Sequence, residues 1–382
     1  MKIKLIILLT LIFLLVPVYT LAVEVSEESL FPLAKDPRAL GMAGAMTALG
    51  DSPTSAIFNP ALMGEYNSFS LKVGLGFWPV DDTVWNNFNK IMEYIDMLNK
   101  GIVPQNDNLT ANTYLTGYAH LGIGRFGLTL YGDTYPYFEF NKGESYGKAQ
   151  LNSPFNINGA LTLSLPIIDL RNLKFNIGAN FRVNLNGYVE NTYSYEQSGS
   201  NTFYFEDREA IYKYWTIDLG AWLKLSDNLA VGLSANNIYA QGIEGDIHHH
   251  IKDLNTGYVY TYPVVYIPAE DIILPPLTLK AGALLKLPVL STRIAFDVDL
   301  DKNFQPTLYK LGIEQPLLFL TVRGGAILDT NFQPEYFTVG AGINLLFLRV
   351  DAGLGYQAEG SFMETIQNTM PLVASFSGSI QF

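Results

Sequence analysis

Lys174-Phe175-Asn176-Ile177-Gly178-Ala179-Asn180-Phe181-Arg182-Val183-Asn184-Leu185-Asn186 is the stretch whose period decides the fold. Phe175, Ile177, Ala179, Phe181, Val183 and Leu185 alternate with polar residues or glycine. A helix would scatter these apolar positions around its circumference, whereas an extended strand puts them all on one face. The same period of two recurs over 69–77, 115–123, 126–130, 157–165, 215–225, 229–235, 277–287, 294–300, 309–313, 320–328, 337–345, 348–356 and 372–382. Together these make about 14 segments near the roughly 9–11 residues that a tilted membrane strand needs.

The connections alternate between two kinds. Short turns fall around Gly124-Arg125, Pro166 to Leu173, Ser226-Asp227-Asn228, Pro288 to Ser291, Gln315-Pro316 and Leu346-Phe347. Long or polar ones fall at 78–112, 132–155, 187–213, 239–275, 301–306, 329–336 and 358–370. Outer-membrane barrels place short turns on the periplasmic side and long loops outside, so the first strand should run outward and the last should return inward. The pattern predicts an all-β fold: a transmembrane antiparallel β-barrel of about 14 strands, each with one face in lipid.

Composition agrees. The chain has 33 Gly, 23 Tyr and 23 Phe with only 16% charged residues, which suits a sheet facing lipid better than a soluble enzyme core. Its formal charge of −12 gives a nucleic-acid partner no electrostatic support. With no cysteine, a disulfide framework and a thiol nucleophile are excluded. Residues 1–22 read as a secretory signal: Lys2 and Lys4 are followed by the apolar run Leu5 to Val16 and by Thr20-Leu21-Ala22. Its apolar run sits at the lower limit of about 17 residues for a retained anchor. The expected parts are thus the signal at 1–22, an N-terminal plug at 23–67 and the barrel with its outer loops at 68–382.

The segment before the first strand is rich in small residues that allow close backbone packing in a confined space. It contains Gly41-Met42-Ala43-Gly44-Ala45 and Phe58-Asn59-Pro60-Ala61-Leu62-Met63-Gly64. Asn59 can cap a short helix, Pro60 suits its first position and Gly64 its end. These two runs resemble the plug motif of the FadL/TodX outer-membrane transporters and their TraF-like and PorV-like relatives. The runs Lys310 to Glu314, Val322 to Gly325, Val339 to Gly342 and Arg349 to Ala352 resemble the TraF-like and PorV-like branch more, although that branch usually has an aromatic where Ala352 stands. The resemblance implies a plugged barrel that takes up hydrophobic molecules, with Gly41, Gly44, Asn59, Pro60 and Ala61 in the plug. It also implies a lateral exit on the third strand, for which Gly132 and Pro136 are the candidates. An ordinary loop start explains those two residues equally well.

Phe382, with Ile380, Gly378, Phe376 and Ala374 in phase before it, resembles the terminal signal read by the barrel-assembly machinery. Asp82 to Leu98 predicts an amphipathic helix in the first outer loop. Trp85, Phe88, Met92 and Ile95 are its candidate hydrophobic-ligand contacts, and the alternative is a helix that simply packs on other loops. Inward positions carry charges of both signs, among them Arg182, Asp218, Lys280, Asp297, Lys310, Glu314, Arg323 and Asp351, a mixture suited to holding a plug rather than filtering one ion. No catalytic triad, metal-ligand spacing or phosphate loop is present; His248-His249-His250 stands alone and His120 has no nucleophile spaced to it. No enzyme activity, metal or cofactor is predicted.

The function expected from these features is passive uptake or binding of hydrophobic small molecules in the outer membrane. The alternatives are a PorV-like accessory that escorts or anchors secreted proteins, and a mainly structural barrel. Expected partners are outer-membrane lipid, the assembly machinery and either hydrophobic molecules or secreted proteins.

Overall fold

The computed structural model describes residues 31–382 except 51, 66–68, 79–81, 101, 103–108, 143–145, 171, 199 and 369–371. The ring is built from β1 (Phe69–Trp78), β2 (Tyr114–Ile123), β3 (Phe126–Thr134), β4 (Tyr146–Leu170) and β5 (Leu173–Ser198). It continues through β6 (Ser200–Ser226), β7 (Leu229–Asp253), β8 (Thr278–Lys286), β9 (Arg293–Leu300) and β10 (Pro306–Leu317). The last four are β11 (Leu320–Leu328), β12 (Pro334–Leu345), β13 (Leu348–Gln357) and β14 (Val373–Gln381). Every neighbour pair is antiparallel, and β14 pairs back onto β1 from Ser70↔Gln381 to Phe77↔Ala374, which closes a barrel of 14 strands without a free edge. Closure satisfies the backbone inside a membrane, where no water is available to do so.

Burial follows the sequence period. On β1, Leu71, Val73 and Leu75 point outward and are exposed, while Ser70 and Lys72 point inward and are buried. On β5, Phe181 is 46% exposed and Asn180 is 2% exposed, so the quoted stretch has its apolar face out. Outward rings also mark the short-turn rim. Phe382 packs with Phe69 and Phe347, and the turns at Leu318-Phe319 and Leu346-Phe347 hold up apolar residues. The first of these turns lies three residues beyond the expected Gln315-Pro316, because β10 runs on to Leu317.

At the opposite end two connections repeat one another, 301–306 reading Asp-Lys-Asn-Phe-Gln-Pro and 329–334 reading Asp-Thr-Asn-Phe-Gln-Pro. Asp301 accepts from the amides of Asn303 and Gln305 at 2.8 and 2.9 Å, and Asp329 from those of Asn331 and Gln333 at 2.8 Å each. The Gln305 and Asn303 amides hold the Asp301 carboxyl below the usual carboxylate range, outweighing the small effect of burial. Each loop thereby keeps an exposed phenylalanine at positive φ, Phe304 at 62° and Phe332 at 61°. Phe332 stacks at 4.4 Å on the outward Tyr309.

Where loops were expected at 132–155, 187–213 and 239–275, the structure has strand over most of the length. β4 to β7 run for 25 to 27 residues each and project beyond the barrel. Short strands Leu109–Asn112, Tyr137–Lys142, Val259–Thr261 and Val265–Ile267 extend this sheet on both sides. The reason is burial. The expected amphipathic helix, α3 (Asp82–Asn99), lays Tyr94 and Leu98 on Phe138, Phe140, Ala149, Tyr195 and Phe203, giving the projecting strands a core of their own.

Phe31–Lys35, α1 (Pro37–Gly41), α2 (Ser55–Phe58) and the 3₁₀ turn Pro60–Glu65 lie inside the barrel. This luminal segment is almost wholly buried and makes up most of the main apolar cluster, with Leu40, Met42, Ala45, Met46 and Leu49 at its centre. Residues 1–30, including the expected signal and the start of the expected plug, lie outside the described residues.

Candidate functional site

The luminal segment is held by charge, by hydrogen bonds to its backbone and by close contact. Asp36 caps α1 through the amides of Arg38 and Ala39, at 2.8 and 3.4 Å. Its other oxygen takes Lys72 of β1 at 2.9 Å and the Thr54 hydroxyl. Burial by itself would raise the Asp36 pKa, but Lys72, Thr54 and the Arg38 amide together hold it well below the usual carboxylate range. Two residues on, Arg38 makes a bidentate pair with Glu314 of β10, both contacts at 2.9 Å. Glu314 also receives Arg293 at 2.7 Å and Arg323 at 2.8 Å, and Arg323 reaches Asp351 at 2.9 Å. One carboxylate from the wall thus gathers three guanidinium groups, of which only Arg38 belongs to the luminal segment.

Wall side chains satisfy the irregular backbone. Asp297 accepts from the amides of Met46 and Thr47 at 2.9 and 2.8 Å, and the Trp222 indole donates to the Ala48 carbonyl at 3.0 Å. The Ser375, Ser164 and Asn180 side chains donate to the carbonyls of Ala34, Ala61 and Ala56. As predicted, Asn59 caps the turn that Pro60 opens: its oxygen accepts from the Ala61 amide at 3.1 Å. That turn is 3₁₀ rather than α, and the Asn59 nitrogen donates to the Thr47 and Ala221 carbonyls at 2.8 and 3.1 Å. Asn59 therefore ties two parts of the luminal segment to β6.

Glycine on the inner wall makes the approach possible. A Cβ at Gly232 would lie 2.1 Å from the Thr47 carbonyl oxygen, at Gly220 2.1 Å from Asn59 Oδ1, and at Gly178 2.4 Å from the Ala61 amide nitrogen. Gly76, Gly312, Gly325 and Gly353 meet Ala34, Met42, Ala43 and Pro37 in the same way. Gly41 faces Gly340, where an added Cβ would be 3.0 Å from its Cα, while Gly44 turns the chain at φ 79°. Gly312, Gly325 and Gly340 stood in quoted motif runs, but the packing role of the wall glycines, and Lys72 itself, were not singled out from sequence. Their signal was present: each sits on the inward phase of its strand, where a residue without a side chain has meaning only if something else fills the space.

Two cavities flank the luminal segment. One of about 220 Å³ opens by the Ser226–Asn228 turn and is lined by Ala48, Leu49, Trp222 and Arg293. The other, of about 340 Å³, has a floor of Ala56, Ile57 and Phe58 and a largely polar wall including Thr129, Tyr131, Arg182, Asn236, Asn237 and Lys280. Arg182 is positioned there by Asp218 at 2.7 Å and by the Tyr131 hydroxyl at 3.1 Å.

The second cavity ends against an irregular seam. Pairing of β7 with β8 stops at Asn236↔Thr278 and resumes on that edge only at Gly245↔Ile267. Between them β7 bulges, Asn237 takes φ 56°, and its side chain joins Arg182 to the Pro276 carbonyl. The expected lateral opening at Gly132 and Pro136 is not there. Gly132 pairs with Gly117 on one side and Ile157 on the other, and the Pro136 carbonyl accepts from the Thr113 amide at 3.0 Å. A proline can still contribute its carbonyl to such a bridge, which is why Pro136 does not break the wall.

Of the expected ligand contacts of α3, the two whose side chains are described face different ways. Ile95 packs into the cluster beneath the helix and Met92 points to solvent at 51% exposure, so helical spacing here serves the projecting sheet. The side chains of Trp85 and Phe88 lie outside the described residues. His248, His249 and His250 fall on the strand β7; His249 bonds Glu206 at 2.7 Å and stacks on Tyr262, and His250 contacts Thr261. His120 is buried against Thr129 at 2.8 Å.

No protein-family model and no curated protein sequence matches the chain. Solved structures do. A TodX monoaromatic hydrocarbon channel, in a deltaS2S3 mutant form, superposes with a TM-score of 0.50 at 11% identity, covering 90% of this chain and 97% of that one. The fold is that of the TodX and FadL barrels. A Pseudomonas aeruginosa FadL homologue gives the same TM-score at 12% identity, covering 90% of this chain and 98% of the other. At such identity the FadL-like likeness is one of architecture. In that architecture Lys310, Glu314, Arg323, Gly340 and Asp351, read from sequence as motif residues, all lie on the inner wall around the luminal segment.

Proposed function

We propose that this chain is a plugged outer-membrane channel that passes small, largely hydrophobic molecules without an energy-coupling cofactor. The observation that carries the reading is the cavity over Ala56, Ile57 and Phe58, which ends against the bulged seam between β7 and β8. The luminal segment acts as the plug, with Gly41, Gly44, Asn59, Pro60 and Ala61 among its close contacts. A solute resting on that floor would meet polar wall groups, so a hydrophobic body bearing one polar group fits better than a bare hydrocarbon. Its route outward would pass Asn237, where ladder bonds do not have to break. The names of the similar barrels, a monoaromatic hydrocarbon channel and a FadL homologue, support the solute class.

The test is uptake by cells of an outer-membrane-permeability mutant with and without the chain, comparing a phenol or cresol with a pentose of similar size. Faster entry of the aromatic alone is expected. Equal acceleration of both solutes would make the protein a general porin and reject the proposal.

A second reading draws on the projecting sheet. Tyr258, Tyr260 and Tyr266 are exposed on its flank, at 68%, 48% and 78%. Such a surface suits a PorV-like accessory that holds a secreted protein, in keeping with the resemblance of the C-terminal motifs to the TraF-like and PorV-like branch. A stoichiometric secreted protein retained after mild-detergent purification, and lost on replacing those three tyrosines by serine, would favour this reading over transport.

A further inference from the structure

The outer wall has a groove of about 420 Å³ between β10, β11 and β12. Gly324 forms its floor with Ala326, because a glycine on the outward phase of β11 leaves a dent among full-sized neighbours. Leu311, Ile313 and Val322 form one side and Phe337 the other. The roof is Phe362, from the connection between β13 and β14, whose ring meets Phe337 edge-on at 5.3 Å. A Cβ placed on Gly324 would lie 4.0 Å from the tip of that ring.

The roof is built rather than draped. Phe362 opens the short helix α4 (Phe362–Asn368), and the preceding turn is fixed by a capping box. The Ser361 amide donates to Glu364 at 2.9 Å, the Glu364 amide donates back to Ser361 Oγ at 3.4 Å, and the Thr365 hydroxyl donates to the Glu359 carbonyl at 2.9 Å. Little that is polar reaches the groove. Arg323 borders it only through its backbone, since its guanidinium is wholly buried on the inner side with Glu314 and Asp351.

We propose that this groove binds one acyl chain of a membrane lipid, held under Phe362. The occupant follows from continuity: the groove opens on the same outward apolar face as Leu311, Ile313 and Val322, and every such face of a membrane barrel meets acyl chains. Aromatic rings stand where such a chain would reach the interface, with Phe332 stacked on Tyr309 on the long-loop side of the groove. Among the described residues no cationic group reaches the groove, the Arg323 guanidinium being buried on the inner side, so the chain rather than a headgroup is recognised. The inference rests on the membrane placement of the barrel and not on the transport reading.

The test uses the full chain in nanodiscs of phosphatidylcholine carrying a diazirine on one acyl chain, with adducts mapped by mass spectrometry after irradiation. Labelling of 311–326 and of Phe362 and Met363 should exceed, several-fold, that of the equally outward Leu71, Val73 and Leu75. Gly324→Leu, which fills the floor, and Phe362→Ala, which removes the roof, should each bring the excess down to the level of β1, with heat-modifiable gel migration showing that both variants fold. Uniform labelling around the wild-type barrel overturns the proposal, as does an excess that survives Gly324→Leu. Labelling of the same residues by a small aromatic diazirine that added lipid does not displace would assign the groove to a solute and overturn it equally.

Discussion

Replacing Gly232 by alanine tests whether the inner-wall glycines hold the luminal segment in place. The added methyl would sit 2.1 Å from the Thr47 carbonyl oxygen and 2.7 Å from its carbon, more than an ångström inside van der Waals contact. Thr47 cannot step aside freely, because its amide is held by Asp297 at 2.8 Å and its carbonyl by Asn59 at 2.8 Å. Overpacking costs about 1–3 kcal/mol and each strained hydrogen bond about 0.5–1.5 kcal/mol. A total of about 3 kcal/mol against docking of the segment would lower its docked-to-undocked ratio by roughly two orders of magnitude. The barrel ladder is untouched, since alanine is compatible with an extended backbone. Gly232→Ala should therefore raise single-channel conductance in planar bilayers and speed amide exchange over 41–62, while heat-modifiable migration persists. Deleting 36–64 sets the upper limit of that conductance. Gly159→Ala and Gly378→Ala are the controls, as nothing lies within 4 Å of a Cβ at either position. If Gly232→Ala behaves like Gly159→Ala in both conductance and exchange, the close approach of wall and segment does not govern docking and the reasoning fails.

Three further predictions follow from the same geometry. Glu314→Leu removes the carboxylate that Arg38, Arg293 and Arg323 share and should destabilise the docked segment by about 3–5 kcal/mol, more than Arg38→Met, which leaves Glu314 with Arg293 and Arg323. Equal exchange rates over 36–62 in the two variants would contradict a hub at Glu314. Phe181→Arg places a charge on the outward face of β5 and should cost about 2–4 kcal/mol of barrel stability if it lies near the bilayer midplane. Denaturant unfolding in micelles reads this, and a silent Phe181→Arg beside an assembly-defective Asn180→Leu would turn the strand inside out. Protease added to intact cells should cut the tips of the projecting hairpins, around 199 and at 254–257, whereas cleavage confined to the turns near 171 or 227 would reverse the topology.

What could be read from the residues was whatever depends on local period. Alternation along Phe175 to Leu185 defines a strand with one face in lipid, and it does so without knowledge of the neighbours, because side-chain direction in an extended chain is set by the backbone alone. All 14 ring strands were found this way, and Asn59-Pro60 was legible because capping is a contact between near neighbours in sequence. The long extensions of β4 to β7 were missed because their stability comes from α3, a helix about a hundred residues earlier than the Tyr195 and Phe203 it covers. The lateral candidate at Gly132 and Pro136 failed for a related reason: whether a glycine or proline opens a wall depends on what its two neighbouring strands donate and accept. Register across three strands decided that Gly132 is closed and Asn236 to Ile238 bulge.

The sequence by itself determined the architecture, a closed barrel of 14 strands with a small-residue segment ahead of it, since period, turn length and glycine content are properties of the chain. Only the tertiary structure decided how the two parts fit. Arg38 and Glu314 are 276 residues apart, and which wall positions must be glycine likewise depends on where another part of the chain comes to rest. Local physics chooses the strand; closing the ring around the segment chooses its contacts.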